Sequence, residues 1–290
     1  MAQKFDVYQH VTDQIIAEME AGTAPWRKPW TGDAPGIALP QRWNGEGYNG
    51  INVLLLWVAA SRNNFLSSRW MTFRQAQELG GHVRKGEKSA TSIKFGTIER
   101  EDDAGETRAI PYARAFRVFN ADQIEGLGEE FYRTAEPARD LGTEADPQME
   151  AWISSIGADV RTSDEPRAYY QIKEDFVHMP PVKTFHNAAG YYGTLLHELS
   201  HWTGHAGRLD RFQKFEGKSE YAAEELVAEI SACMLAVRLG VEPQFEQSAA
   251  YVEGWMDALR ADKRAIFRAA ADAQRATDFL MSRAEAKLAA

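Results

Sequence analysis

Apolar side chains recur at helical spacing in the first part of the chain. From Asp6 to Met19 they stand three and four positions apart, which predicts an amphipathic helix that ends at Gly22. The later stretch YNGINVLLLWVAASRNN is apolar through most of its length. It predicts a buried helix opened by Asn49 or Asn52, because asparagine readily caps helices.

Turn and strand signals follow this helix. Thr72 and Gln75 have the spacing of a capping box, and the pair Gly80-Gly81 ends the short helix that they predict. The segments SATSIKFGTIER and YARAFRVFN are rich in β-branched and aromatic residues and predict two strands joined as a hairpin. We therefore expect the first half of the chain to be an α+β domain.

The composition changes in the middle of the chain. Between Ala121 and Pro147 it is acidic and rich in Gly and Pro, which is typical of a linker. We predict an N-terminal domain at 1–125, a linker at 126–147 and a C-terminal domain at 148–290. Helical spacing continues through most of the last segment, so we expect an α+β protein whose C-terminal domain is mainly helical.

The stretch LLHELSHWTGH carries the strongest chemical signal. His197 and His201 are four residues apart, so on a helix both imidazoles could reach one ion. Glu198 lies beside that face, where it could take a proton from a metal-bound water. A charged surface helix is the ordinary alternative, but this segment also has a long apolar face. The pattern therefore predicts a metal site with Glu198 as the catalytic base.

A third protein ligand is expected, because two histidines and a water leave a tetrahedral site incomplete. The segment YAAEELVAEISACML offers Glu225 and Glu229, one to bind the metal and one to orient a ligating histidine. His205 follows His201 by four residues, whereas the extended metzincin motif requires six. We favour the glutamates and leave open which of them binds. Candidates for stabilising an oxyanion are Tyr191, Tyr192 and Tyr221.

Composition restricts how such a site can form. Cys233 is the single cysteine, so an internal disulfide or a thiolate metal site is excluded and the ligands must be His and carboxylate. No apolar run approaches the roughly 18 residues of a membrane span, and the N-terminus lacks the apolar segment of a signal peptide. We expect a cytoplasmic protein without a membrane partner.

Charge is divided unevenly along the chain. Residues 1–120 hold 15 basic and 13 acidic side chains, whereas 18 basic and 29 acidic side chains follow. Between Arg62 and Lys94, seven basic residues are accompanied only by Glu78 and Glu87. This local excess suits a polyanionic partner, although the net charge of the whole chain is −9.

The motifs APWRKPW, YNGINVLLLW and LLHELSHWTGH, followed by RLDR and YAAEELVAEI, resemble the ArdC family of antirestriction proteins and its plasmid primase-like relatives. The resemblance covers nearly the whole chain. It implies an N-terminal domain that binds single-stranded DNA, a C-terminal zincin-like metallopeptidase domain, and protection of conjugative plasmid DNA from restriction. His197, Glu198 and His201 match the His-Glu-x-x-His motif of the family.

The resemblance also suggests how the first half would bind DNA. Proteins that bind single strands follow phosphates with Lys and Arg and stack bases on exposed aromatic rings. Trp26 and Trp30 stand beside two cations in a proline-rich segment, although they could instead fasten that segment to the domain. Trp43 and Tyr48 add further rings, and we expect Trp57 to belong to the core. The residues predicted to bind DNA are Trp26, Arg27, Lys28, Trp30, Arg42, Arg62, Arg69, Arg84, Lys85 and Lys88.

Taken with these features, the resemblance implies an antirestriction protein that binds single-stranded DNA without sequence preference and carries a metal-dependent peptidase site. One divalent ion is expected, with Zn²⁺ favoured and Mn²⁺ as the alternative. The protein substrate is unidentified, and host restriction machinery is a candidate. A second hypothesis is a DNA-binding shield with a structural or inactive metal site, which a fourth protein ligand such as His205 would favour. A nuclease fits less well, because the motif is unlike the two-metal carboxylate clusters that cleave phosphodiesters.

Overall fold

The computed structural model describes residues 6–22, 24, 26, 38–101, 107–212, 218–242 and 249–288. The helices are α1 (Val7–Glu20), α2 (Ile51–Asn63), α3 (Phe73–Glu78), α4 (Pro147–Ile156), α5 (Ala188–Trp202), α6 (Lys218–Leu239), α7 (Ala249–Ala261) and α8 (Ala265–Leu288). The strands are β1 (Gln41–Arg42), β2 (Arg69–Met71), β3 (His82–Val83), β4 (Ala90–Glu101), β5 (Thr107–Asn120), β6 (Ile124–Glu125), β7 (Asp159–Thr162), β8 (Tyr169–Gln171) and β9 (Phe176–Met179). This arrangement confirms the predicted α+β class.

Helix α1 forms where the apolar spacing predicts it. Asp6 caps it, because its side chain accepts hydrogen bonds from the backbone N–H groups of the first turn at 3.0 and 3.2 Å. Val11, Ile15 and Met19 point into the core and are almost completely buried. The prediction of an amphipathic helix is confirmed.

Helix α2 is buried as predicted, but the predicted caps are wrong. Gly50 occupies the capping position with a φ of 56°, a left-handed value that favours glycine. Asn52 lies in the first turn instead, where its Nδ2 donates to the carbonyl oxygen of Ile93 at 2.9 Å and its Oδ1 accepts from the Ile93 N–H at 2.7 Å. This side chain therefore fastens α2 to the edge strand β4 rather than capping the helix.

The long hairpin of β4 and β5 is the main sheet element of the first half. The two strands pair antiparallel over twelve residue pairs, from Ala90 opposite Val118 to Glu101 opposite Thr107. They belong to a four-stranded sheet in the order β1-β2-β5-β4. The hairpin and the capping box at the start of α3, where Thr72 and its partner exchange both bonds, are thus confirmed.

Two large buried clusters hold most of the fold together, and α6 and α8 contribute to both; a smaller third cluster includes Met71 and Ile124. The first joins α1, α2 and the hairpin to α6, α7 and α8, with Ile15 and Trp255 among its members. The second joins α4, β9 and α5 to α6 and α8, with Leu199 and Leu280 among its members. Residues on both sides of the predicted linker therefore share one core, and the boundaries of the domains remain a prediction.

A small sheet accompanies the second cluster. Strand β9 pairs parallel with β7 and antiparallel with β8, and both β8 and β9 contact α5. Residues 176–179 of β9 are buried, so this sheet braces α5 from one side while α6 packs elsewhere along it. Of the helices described above, none combines the length and apolar character needed to cross a membrane.

Candidate metal centre

Helix α5 presents the two histidines of the motif to α6. Asn187 caps the helix, with its Oδ1 accepting from the Gly190 N–H at 2.8 Å. The apolar face, which includes Leu199, is buried, whereas His197 and His201 remain partly accessible. A rigid, anchored helix thus fixes the position of both imidazoles.

Three donor groups converge between α5 and α6. The Nε2 atoms of His197 and His201 lie 3.1 Å apart. One carboxylate oxygen of Glu225, Oε2, lies 3.5 Å from Nε2 of His197, and the other, Oε1, lies 3.4 Å from Nε2 of His201. Ligands at about 2.0–2.1 Å from a tetrahedral ion are separated by about 3.3–3.4 Å. The spacing therefore suits one small divalent ion, and within the described part of the chain these three residues form a group that could hold it.

The other nitrogen of each imidazole faces a second glutamate. The Nδ1 atom of His201 lies 3.2 Å from Glu224, and the Nδ1 atom of His197 lies 3.6 Å from Glu229. A carboxylate in this position fixes the ring and its tautomer and makes Nε2 a stronger donor to a metal. The two glutamates left open by the sequence thus lie at different nitrogens, with Glu225 at the ligand side and Glu229 behind the ring.

Glu224 is itself held by a buried arginine. Arg211 donates from Nη2 and Nε to the two carboxylate oxygens at 2.7 and 3.0 Å, and both side chains are nearly inaccessible. The same guanidinium donates to the Ser200 carbonyl oxygen and the Thr203 hydroxyl at 2.7 and 2.8 Å. The segment after α5 is therefore tied to α6 through the group that orients His201. The sequence did not point to this arginine as part of the site, although it belongs to the RLDR motif.

The glutamates dominate the electrostatics of the two imidazoles. Burial lowers the pKa of His201, but its contacts with Glu224 and Glu225 outweigh this effect and raise the pKa to about 9. A similar balance of burial against Glu225 and Glu229 raises the pKa of His197 well above its ordinary value. Burial raises the pKa of Glu225, yet the two histidines hold it far below its usual range. The glutamates therefore stabilise positive charge between the two helices. A metal ion that binds there must displace the protons that the two imidazoles carry.

Glu198 and His205 occupy different surroundings. Glu198 follows the first histidine in α5, is buried, and contributes to raising the pKa of His197. His205 does not join the donor group within the described residues, and its Nδ1 accepts from the Gly207 N–H at 3.1 Å. The fourth position of a tetrahedral site is therefore not supplied by His205.

The three tyrosines proposed for an oxyanion role are dispersed. Tyr192 is buried, donates to Glu150 at 2.8 Å and accepts from the Asp146 N–H at 2.8 Å, so its hydroxyl serves to join α4 to α5. Tyr191 is buried against a neighbouring aromatic ring, and burial raises its pKa to about 12. Tyr221 is 57% exposed near the start of α6. Stabilisation of an oxyanion by any of them stays a prediction.

Among the residues predicted to bind DNA, Trp26 lies in an unexpected place. Its side chain is fully buried and its ring packs edge-on against Trp255 of α7 at 5.9 Å. In this conformation it cannot stack on a base, because no face of the ring is accessible; the alternative that it fastens its segment to the domain describes the packing better. Arg27, Lys28 and Trp30 lie outside the described residues.

The remaining basic residues differ in how they are engaged. Arg62 pairs with the buried carboxylate of Glu18, and Arg84 pairs with Glu87 at 2.8 Å. Arg42 and Arg69 adjoin on the first two strands, where Arg69 donates to the Arg42 carbonyl oxygen at 3.2 Å. Lys85 and Lys88 are exposed. A role for these residues in binding DNA remains a prediction.

The aromatic residues near them are divided between core and surface. Trp57 is buried, as expected, and its indole N–H donates to the Ala38 carbonyl oxygen at 3.2 Å. Tyr48 is also buried, whereas Trp43 is 40% exposed. Of this group, Trp43 is therefore the ring with a surface to offer to a base.

Two family models match the chain on either side of residues 120–146. One is described as the N-terminal domain of anti-restriction factor ArdC and matches residues 5–119. The other is described as a zincin-like metallopeptidase and matches residues 147–272, which include all the donor groups above. The fold and the site thus define a zincin-like metallopeptidase domain that follows the N-terminal domain of an anti-restriction factor.

Two solved structures identify the family within this class of proteins. The metal-free crystal structure of the antirestriction ArdC protein from the R388 plasmid is 57% identical, covers 97% of this chain and 99% of its own, and superposes with a TM-score of 0.89. The Mn(II)-bound structure of that protein is 56% identical, covers 97% of this chain and 98% of its own, and has a TM-score of 0.85. The chain belongs to the ArdC family of antirestriction proteins. The donor group and the Mn(II)-bound neighbour together indicate a site for a divalent metal ion.

Curated proteins with other names also match the chain. An uncharacterized protein, y4eC of Sinorhizobium fredii, is 35% identical over 95% of this chain and 91% of its own length. Two proteins of Escherichia coli, both named DNA primase TraC, are 36% identical over 95% and 97% of this chain. The chain spans only 27% and 20% of the length of these primases.

Proposed function

We propose that the chain is a metal-dependent peptidase that also binds single-stranded DNA without sequence preference, and that it protects plasmid DNA during conjugation. The observation that carries the peptidase part is the convergence of His197, His201 and Glu225, whose donor atoms all lie within 4.8 Å of one another. The absence of His205 from this group within the described residues leaves a position for substrate or water. This favours an enzyme over a shield with a structural metal site.

The residues around the centre have separate roles in this proposal. His197, His201 and Glu225 hold the ion, while Glu224 and Glu229 orient the imidazoles from behind. When bound, the ion would supply Lewis acidity, which would polarise a peptide carbonyl and lower the pKa of water. The donor set suits Zn²⁺, and it can also bind Mn²⁺, the ion in the Mn(II)-bound relative.

Glu198 is the base in this proposal. Its carboxylate accepts a proton from the attacking water and passes that proton to the nitrogen of the departing amine. The burial of Glu198 in α5 and the contribution of its charge to the raised pKa of His197 support this role. The protein substrate would be a component of the host that acts on unprotected DNA, such as restriction machinery.

The hairpin supports the DNA-binding part. Lys94 and Arg114 are a register pair on β4 and β5, and the ring of Tyr112 lies over Gly96 on the same face. Glu99 of β4 lies on the face opposite to Lys94, because successive residues of a strand point to alternate sides of the sheet. A strip of two cations beside an aromatic ring is the chemistry that follows phosphates and stacks bases.

The peptidase proposal is tested by comparing metal content and turnover. Wild type should retain about one Mn²⁺ or Zn²⁺ per chain after dialysis, and His201→Ala should lose it. Glu198→Gln should keep the ion but lose turnover of a fluorogenic peptide mixture by about 10²–10⁴-fold. Full turnover by Glu198→Gln, or full metal content in His201→Ala, would contradict the proposal.

The DNA part is tested by anisotropy of labelled single-stranded and duplex oligonucleotides of mixed sequence. Single strands should bind more tightly, with little dependence on sequence, and binding should weaken as salt rises because counterions compete. Lys94→Gln combined with Arg114→Gln should weaken binding, whereas Arg167→Gln, an exposed change paired with Glu165 outside the basic stretch, should not. A preference for duplex, or no effect of the double change, would contradict the assignment.

A further inference from the structure

A deep cavity lies away from the metal centre, between α1, the start of α2, strand β4 and helix α8. Its volume is about 590 Å³, within the range of roughly 300–1,000 Å³ that is typical of ligand pockets. Three aromatic residues and two arginines make up half of its ten lining residues, and no carboxylate residue is among them. The polar and aromatic lining residues include Tyr8, Asn49, Phe95, Arg264, Phe267 and Arg268.

The aromatic wall is a connected set of rings. Phe267 of α8 lies edge-on to Tyr8 of α1, with ring centres 4.8 Å apart, and edge-on to Phe95 of β4 at 6.2 Å. Phe267 is buried, so it braces the other two rings, whereas Phe95 is 50% exposed. An exposed phenyl ring supported from behind is a preorganised surface for stacking.

The positive charge of the cavity comes from α8 and the turn before it. The guanidinium of Arg264 lies over the ring of Tyr8 at 4.8 Å; it interacts electrostatically with Asp262 but forms no ion pair among the described residues. Arg268 is paired with Asp262 at 2.6 Å, in an exposed position. Arg264 is therefore the group available to bind an external anion, and its plane can also stack on a base.

The rim adds a polar group and a rigid wall. Asn49 is exposed and offers a carboxamide that can both donate and accept hydrogen bonds. Gln274 is fixed, because its Oε1 accepts from the Gly50 N–H at 3.2 Å and its Nε2 donates to Asp278 at 3.0 Å. The cavity thus combines a ring for stacking, a cation for phosphate and an amide for a base edge.

We propose that this cavity binds an unstacked nucleotide of single-stranded DNA, with the base on Phe95 and the phosphate on Arg264. The inference rests on the single-strand binding proposed above and adds a site that the sequence did not predict. Part of that site belongs to α8, which is distant in sequence from the predicted N-terminal DNA-binding domain but packs beside it in the fold. Duplex DNA is excluded in this proposal, because its bases are stacked and cannot enter.

The test uses the full chain and a fluorescein-labelled oligothymidylate, with anisotropy as the readout. Phe95→Ala should weaken binding by about 5- to 150-fold, the loss expected for one stacked base. Its control is Phe73→Ala, because Phe73 is 51% exposed and also makes one edge-on ring contact, but outside the cavity. Binding by that control should match wild type.

Arg264→Gln should weaken binding and reduce the slope of log affinity against log salt by about 0.7, the value for one phosphate contact on a single strand. Arg275→Gln, an exposed change on α8 outside the cavity, is its control and should leave the slope unchanged. All variants should show the circular dichroism spectrum and the metal content of wild type, since the cavity lies apart from the donor groups. An oligonucleotide carrying 5-iodouridine should cross-link to Phe95 or Tyr8.

The outcomes separate this site from the broader proposal. If wild type binds the oligonucleotide but both cavity variants bind as tightly, or the controls weaken equally, the cavity is not the site while single-strand binding stands. If Phe95→Ala weakens duplex binding as much as single-strand binding, the cavity does not receive an unstacked base. If wild type does not bind single strands at all, the proposed DNA function fails and this inference fails with it.

Discussion

The pair formed by Arg211 and Glu224 offers a way to disturb the metal centre without touching a metal-binding group. Replacing Glu224 with Gln preserves its size but removes the charge behind the Nδ1 atom of His201, which lies 3.2 Å away. It also leaves the buried guanidinium of Arg211 without its bidentate partner. Two separate effects are therefore expected, one on metal affinity and one on stability.

Both magnitudes can be worked from the contacts. Loss of a carboxylate that orients a ligating histidine costs about 10–100-fold in metal affinity, equivalent to about 1.4–2.7 kcal/mol. Breaking a buried ion pair by removing one partner lowers the free energy of unfolding by about 3–5 kcal/mol, because a desolvated charge is left behind. Arg211 and Glu224 expose only 7% and 6% of their side chains, so little solvent screening is available to reduce that cost.

A double variant separates the two effects. Changing both Arg211 and Glu224 to Met removes both charges and should recover much of the stability, whereas metal affinity should stay low because His201 still lacks its partner. The assays are titration with Mn²⁺ by calorimetry and denaturation of metal-stripped protein in urea, with Glu78→Gln as an exposed control. If Glu224→Gln binds Mn²⁺ and unfolds as wild type does, the positioning role of this pair is refuted.

Three further predictions follow from the packing and the charges. A fragment of residues 1–125 should show no cooperative unfolding transition, because α1, α2 and the hairpin share their core with α6, α7 and α8. Asn52→Ala should lower the free energy of unfolding in urea by about 1–3 kcal/mol, since the backbone groups of Ile93 lose their buried partner. The raised pKa of His201 gives the metal-stripped protein stability that is fully present below about pH 6.5 and lost as pH rises through about 9, so urea midpoints should fall over that range, and an opposite trend would contradict it.

Local signals explain what the sequence could predict. The spacing of His197 and His201, the capping box at Thr72 and the hairpin strands all depend on residues close in sequence, where backbone geometry decides which side chains are neighbours. The choice between Glu225 and Glu229 could not be made in this way. That choice depends on how α6 packs against α5, because the packing decides which nitrogen of His197 each carboxylate contacts.

Other features depend on contacts between distant segments. Asn52 has a residue type that caps helices, yet its side chain binds β4 instead because the edge of that strand lies beside α2. Trp26 stands among prolines and cations, yet a partner more than two hundred residues later, Trp255, buries it. The cavity near Phe95 is likewise invisible in the sequence, because α8 supplies one of its walls.

The central claim is that proteolysis at the metal centre, and not DNA coating alone, protects the plasmid. The most direct measurement is plasmid transfer into a restricting recipient, comparing wild type with Glu198→Gln and with Glu285→Gln, an exposed change on α8. Each variant should first be shown to fold and to bind Mn²⁺ and single-stranded DNA as wild type does. We predict that Glu198→Gln loses protection while Glu285→Gln keeps it. Full protection by Glu198→Gln would contradict the claim and favour a shield.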